Sequence, residues 1–318
     1  MRKLRSFSFI FVLTGLLMFC LMSTVQSSSA ANPSDLDTSI SKNLITNEES
    51  YDAMPAVSEQ QSISPAYQGS GKLHPQEIPI LPSQQKPDIT THSIIGKDNR
   101  AQVKNTKSYP YSAIAFIELP KNYVCTGWFI SPDTVVTAGH CVYDVSKKNG
   151  LKGWVPWAKI YPGRNGSSSP YGYADATYLY TVKGWTNSND PKYDYGAIKI
   201  NRPLGNQTGW FGYRWQSASL NGIGENIAGY PASKPQTMWQ HSDKIRKNKD
   251  RQLGYQNDTE GGQSGSPVYE PNNSKCKGPC GIAIHAYGTG LYNDNHNYGT
   301  RITKDVFDNL SNWKNAKK

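Results

Sequence analysis

Cysteine is scarce, with five in 318 residues, and one of these, Cys20, lies in an N-terminal stretch built like a leader. The chain also lacks a convincing membrane span. Its N-terminal apolar run, from Phe7 to Met22, is short for a bilayer and is interrupted by Ser8, Thr14 and Gly15. It lacks RNA-binding and helix-turn-helix motifs, so a formal net charge of +10 does not point to nucleic acid. Strand–helix alternation is missing too, which excludes a βαβ array. What these absences leave is a β-rich chain with few cysteines to pair.

The N-terminus supports that frame. Arg2, Lys3 and Arg5 precede the apolar run, and a Ser-rich stretch then ends at Ala30-Ala31. This is the pattern of a secretory signal, residues 1–31, and it predicts a secreted, extracellular protein. Bulky Met18 and Phe19 before Cys20 argue against lipid attachment there. Cys125, Cys141, Cys276 and Cys280 then remain, an even number in an oxidising compartment, and four cysteines allow three pairings. A Cys125–Cys141 bridge would clamp the backbone next to His140, and Cys276–Cys280 would close a tight loop. A zinc site using these cysteines with His285 lacks a fourth ligand and suits another compartment.

Residues 32–92 differ in composition from residues 93–318. Seven Pro, nine Ser and six Gln fall within them, with no Cys and no sustained apolar period. Such a segment is expected to stay largely disordered, because it has little apolar surface to offset its ordering entropy. It carries three Lys against eight Asp or Glu, a net −5, whereas residues 93–318 carry 28 Lys or Arg against 16 acids, a net +12. An acidic segment before a basic domain reads as a propeptide held near its domain by charge until it is removed.

From Ser93 onward the pattern is β. Apolar and β-branched runs at 112–119, 125–130, 134–138, 176–182, 195–200, 225–230, 281–286 and 299–302 are separated by turn clusters such as Ser131-Pro132-Asp133 and Pro162–Gly166. A C-terminal helix over about 303–315 is predicted by Thr303 as cap, with Val306, Phe307, Leu310 and Trp313 on one face.

Three motifs carry chemistry. Thr137-Ala138-Gly139-His140-Cys141 places a histidine beside a cysteine, Tyr193-Asp194-Tyr195 leads an acid into an apolar strand, and Gly261-Gly262-Gln263-Ser264-Gly265-Ser266-Pro267 sets a serine in a glycine-rich turn. The order His, Asp, Ser is that of a chymotrypsin-type triad. Ser264 requires a base, His140 suits proton transfer near neutrality, and Asp194 would fix the His140 tautomer. The N–H groups of Gly262 and Ser264 would form an oxyanion hole. An α/β-hydrolase elbow would need glycine at 266, where serine stands.

On these motifs, with Ser93-Ile94-Ile95-Gly96, Cys125-Thr126-Gly127-Trp128, Pro162–Gly166 and Gly299–Lys304, the chain from Ser93 to about Trp313 resembles the glutamyl endopeptidases of bacilli and staphylococci. The resemblance implies an all-β fold of two packed antiparallel six-stranded barrels, an N-barrel over about 93–205 and a C-barrel over about 206–302. It also implies cleavage after Glu, and less readily Asp, through an acyl-enzyme. Thr259 and His285 fit the places that contact the substrate carboxylate in that family, and the freed amine of Ser93 would join them. Asp258, six residues before Ser264, sits at the offset where trypsin binds Lys or Arg, and this is the alternative specificity. A silent binding protein on a protease fold is the other alternative, and the complete triad argues against it. No cofactor or metal is required by this chemistry, and no calcium site is indicated. The expected partners are acidic polypeptide substrates and the chain's own propeptide, with no stable membrane association, and the expected state is a monomer. Gln263 is neutral, so the usual ion pair between a freed N-terminus and the residue before the nucleophile is excluded. The junction Thr91-His92-Ser93 also lacks an acid at 92, which departs from self-cleavage after Glu or Asp.

Overall fold

In a computed structural model, residues 33–52, 61–81, 93–146 and 152–317 are described. The expected leader, residues 1–31, and the junction residues 91 and 92 lie outside them. Every strand run expected from the sequence is present, usually with slightly shifted ends. The first sheet runs in the order Lys159–Pro162, Ile114–Glu118, Val124–Phe129, Thr134–Thr137, Gly196–Ile200 and Ala174–Val182, antiparallel throughout. Lys159 and Ile160 pair back with Asp175 and Ala174, and this closes a six-stranded barrel.

The second sheet runs through Gln252–Tyr255, Asn297–Arg301, Gly278–Tyr287, Pro267–Asn273, Gly224–Gly229 and Trp239–Lys244. It curls into a half-barrel, where the resemblance implied a second closed barrel. Its edge strand Trp239–Lys244 breaks its ladder at Ile245 and Arg246 and resumes as Lys247–Asn248 against Gln252–Tyr255. One kinked segment therefore stands at both edges. Ala101–Gln102 crosses from the N-terminal half to pair with Trp239 and Gln240, so the division of the two halves near residue 205 is not strict.

The halves are joined by aromatic packing. Trp128 is fully buried, meets Phe211 edge-on at 5.6 Å, and lies over Gly281. Cys125 and Cys141 are bonded, as are Cys276 and Cys280. The helix Lys304–Asn315 starts where expected. The Thr303 hydroxyl accepts the Val306 N–H at 3.4 Å, and Val306, Phe307, Leu310 and Trp313 are buried. Among the described residues no helix is long and apolar enough to cross a membrane.

The expectation of disorder across residues 32–92 does not hold for the described parts. Ser39–Asn43 pairs with Ala174–Val182, Glu49–Asp52 pairs on its outer side, and Ile63–Ser64 pairs with Gly212–Arg214. The segment has too little apolar surface to fold alone, but borrowed sheet edges satisfy its backbone and supply buried neighbours for Ile40.

Trp313 has no exposed surface, stacks on Tyr180 at 5.6 Å and lies at a tilt to Tyr195 at 5.6 Å. Trp313→Ala is expected to lower stability by about 3–5 kcal/mol, measured by urea denaturation.

Candidate active site

His140 lies in the one-turn helix Gly139–Cys141 directly after the strand Thr134–Thr137, and Asp194 lies just before the strand Gly196–Ile200. Those strands are ladder neighbours, with Gly196 opposite Thr137, so the barrel register itself brings the two residues together. The Asp194 carboxylate takes two hydrogen bonds from one residue: Oδ1 from the His140 backbone N–H at 2.9 Å and Oδ2 from the ring Nδ1 at 2.7 Å. Asp194 is wholly buried, and the Thr300 hydroxyl donates to its carbonyl at 2.9 Å. The Tyr287 phenol also bonds to Asp194 and is pushed well above its usual range by burial and then by that charge. His140 Nε2 is buried and has no hydrogen-bond partner among the described residues.

Ser264 is held from the other side of the cleft. Its carbonyl accepts the Thr126 N–H at 2.8 Å and lies 3.8 Å from Cys141 Sγ. The disulfide to Cys125 therefore ties the strand beneath Ser264 to the turn that carries His140. Gly262 and Gly265 both have positive φ, +97° and +87°, and a Cβ on Gly265 would come within 2.1 Å of the Thr126 carbonyl. Only glycine fits this turn. Neither the Gly262 nor the Ser264 N–H finds an acceptor among the described residues, so both donors are free to meet an anion.

Gln263 is pinned by a group that sequence reasoning missed. The buried Arg100 guanidinium donates to Gln263 Oε1 at 2.9 Å and to Glu260 Oε2 at 3.2 Å, and it also grips Asp98. Arg100 holds the Asp98 carboxyl down to about 2. The turn before Ser264 is thus ordered from a side chain where an N-terminal amine was excluded. An arginine in the first turns of the expected mature chain has no local pattern that would mark it.

Two of the specificity candidates meet directly. Ser93 and Thr259 pair as an isolated antiparallel bridge, with N–H to carbonyl distances of 3.2 and 3.4 Å, and the Asn297 amide donates to the Ser93 carbonyl at 2.9 Å. The third, His285, is on the strand Gly278–Tyr287, whose backbone holds the serine turn through Gly265 N–H to the His285 carbonyl at 2.7 Å. Its Nδ1 lies 2.8 Å from the Tyr255 hydroxyl, a second missed residue. Tyr255 is fully buried, and burial pushes its phenol well up, so it keeps its proton. A phenol donating to Nδ1 leaves the imidazole hydrogen on Nε2. Asp258 is disposed differently. Its carboxylate accepts the N–H groups of Ile95 and Asn99, both at 2.8 Å, and only 1% of the residue is exposed. His241 accepts the Asp258 N–H at 2.8 Å.

Residues 99–307 of this geometry match the trypsin family. The chain belongs to that family. This trypsin-like serine protease is 45% identical over 258 residues to the glutamyl endopeptidase of Bacillus licheniformis, covering 80% of this chain and 79% of that protein. It is 40% identical over 302 residues to a Bacillus subtilis protein described as an extracellular metalloprotease, covering 92% and 90%. A solved structure described as Glu endopeptidase in complex with MPD is similar with a TM-score of 0.63 at 28% identity, covering 70% of this chain and 100% of that one. The metalloprotease description finds no matching donors here. No His-Glu-x-x-His run occurs in the sequence. Among the described residues, the grouped metal-type donors are Cys125, His140 and Cys141, and the two sulfurs are bonded to each other at 2.03 Å.

Burial, followed by the nearby His140, pushes the His285 pKa down to about 3. An unfolded chain binds a proton there near pH 6.5. Between these values the unfolded state takes up a proton that the folded state refuses, so stability falls as pH drops from 6.5 toward 3. In a Ser264→Ala background, which prevents self-digestion, His285→Gln is expected to remove about 1.4 kcal/mol per pH unit from that slope, read from denaturation midpoints between pH 4 and 6.

Proposed function

We propose that this protease is a secreted endopeptidase that hydrolyses peptide bonds after glutamate, and less readily aspartate, using His140, Asp194 and Ser264. The Ser264 Oγ attacks the scissile carbonyl as His140 Nε2 takes its proton. The C–N bond then breaks as the same proton passes to the leaving amine, and water repeats the sequence on the acyl-enzyme. Support for this reading lies in an Nε2 that is buried and unpartnered while Nδ1 is fixed on Asp194. The free N–H groups of Gly262 and Ser264 suit the developing oxyanion.

The disposition of Asp258 carries the choice of substrate. A carboxylate spent on two backbone N–H groups at the Ile95–Asn99 turn is not offered to a Lys or Arg side chain, which weakens the alternative specificity. His285, with its hydrogen placed on Nε2 by Tyr255, is a neutral donor for a carboxylate, and the Thr259 hydroxyl is a second. The amine of Ser93, freed by cleavage of the chain before it, would add a positive charge next to Thr259. A bound glutamate would then meet donors alone, without a competing anion. Secretion is supported by the residue pattern of 1–31, and the role of residues 32–92 as a propeptide by their opposite charge.

Digestion of an unstructured protein, with cut sites read by mass spectrometry, tests the specificity directly. Cuts after Glu and Asp are expected, and cuts after Lys and Arg would overturn it. Ser264→Ala is expected to lower kcat by about 10⁶-fold, and Asp194→Asn by about 10⁴-fold through the wrong His140 tautomer. Tyr255→Phe and His285→Ala are both expected to cut kcat/KM for Glu substrates by about 10-fold or more. Substrates with a neutral residue before the scissile bond should lose far less, and equal losses on both would make the pair structural only.

A further inference from the structure

Residues 33–52 and 61–81 lie outside the span that matches the trypsin family, which begins at residue 99. They are nevertheless built into its surface at five places. The strand Ser39–Asn43 adds to the barrel edge at Ala174–Val182 over five residue pairs. Just before it, Asp37 is buried, and its Oδ1 accepts the Tyr195 hydroxyl at 2.7 Å and Arg251 Nη2 at 2.6 Å, while its carbonyl accepts the Asn309 amide at 2.9 Å. The C-terminal helix grips the same segment twice more: the Trp313 indole N–H donates to Ser39 Oγ at 2.8 Å, and Lys314 Nζ to Ser64 Oγ at 2.9 Å. Farther along, Tyr67 and Trp210 exchange backbone hydrogen bonds at 3.0 and 2.8 Å, with their rings 4.3 Å apart. The fully buried Arg164 donates to the carbonyls of Ile78 and Pro79 at 3.2 and 3.0 Å.

We propose that residues 33–52 and 61–81 are a lasting structural part of the enzyme, an acidic strap that stays bound to the protease domain after the chain is cut before Ser93. This rests on the reading of residues 32–92 as a segment separated by cleavage. The docking surface is the open edge of Ala174–Val182, the pocket formed by Tyr195, Arg251 and Asn309, and the outer face of the C-terminal helix. The occupant it fits is the chain's own segment, with a net charge of −5 over residues 32–92 against +12 on residues 93–318. Among the described residues, none of the contacts named above involves His140, Ser264, Thr259 or His285. Its departure would exchange the hydrogen bonds of the Arg251 and Arg164 guanidinium groups and of the Trp313 indole N–H for water, and would lose the ion pair that Asp37 makes with Arg251. It would also bare a strand edge. A cleaved peptide bond removes none of these contacts. It removes only the covalent link that raises the segment's local concentration.

The test uses the full chain carrying Ser264→Ala, with residues 84–90 replaced by the recognition sequence of an unrelated site-specific protease. After cutting, the N-terminal peptide is expected to co-elute with the domain on gel filtration and in native mass spectrometry, and to separate only in denaturant. Release of the peptide in native buffer would overturn the proposal. Asp37→Asn in the uncut chain is expected to lower the melting temperature by about 4 °C or more and to hasten loss of the peptide after cutting. No change in either property would equally overturn it. Intact-mass analysis of the active wild-type enzyme reads the natural cleavage point separately, so a wrong boundary is distinguished from a strap that does not bind.

Discussion

A carboxylate with no exposed surface is the constraint on which the rest of this molecule depends. The Asp194 side chain is buried and surrounded by protein, a placement that would be costly without dedicated partners. The carboxylate is held from both sheets. His140 supplies two donors from the first barrel and Tyr287 bonds to it from the second, where the Thr300 hydroxyl also holds the Asp194 backbone carbonyl. The next residue, Tyr195, passes the connection on to Asp37 and Asn309. Asp194 and Tyr195 together thus link the barrel, the half-barrel, the C-terminal helix and the segment before Ser93. Stability and tautomer control are consequences of the same few hydrogen bonds.

A second polar cluster orders the serine turn. In proteases whose turn is completed by a freed N-terminus, a negative residue precedes the nucleophile. Gln263 offers an amide oxygen to Arg100, whose charge is balanced by Glu260 and Asp98. All four residues belong to the domain itself. The turn is therefore held by contacts in which the Ser93 amine takes no part.

Much of this was legible in the sequence because it is local. Alternating apolar runs marked the strands, Thr303 and the 306–313 stripe marked the helix, and the His140 and Ser264 turns carry residue types that their geometry demands. Asp194 was found by its position before an apolar strand. The parts that escaped are long-range. Tyr255 meets His285 across 30 residues, Arg100 meets Gln263 across 163, and Asp37 meets Arg251 across 214. Nothing near these residues in the chain distinguishes them from ordinary surface tyrosines and charges. The same limit explains residues 33–52 and 61–81, whose composition describes a segment judged alone, whereas their order comes from sheet edges supplied elsewhere. Asp258 was ambiguous for a related reason: its offset from Ser264 was visible, and the Ile95–Asn99 turn that occupies it was not.

Thr126 shows how closely the two halves are geared. From the barrel strand Val124–Phe129, its N–H holds the Ser264 carbonyl, its hydroxyl holds the Gly262 carbonyl, and the same hydroxyl accepts the Tyr230 N–H of the half-barrel. Its own carbonyl takes the Thr137 hydroxyl, three residues before His140. A single residue is therefore the common reference for the Ser264 turn and the His140 turn. Movement of one sheet against the other would strain three hydrogen bonds on Thr126 together, so the two turns keep their spacing only as long as the sheets keep theirs.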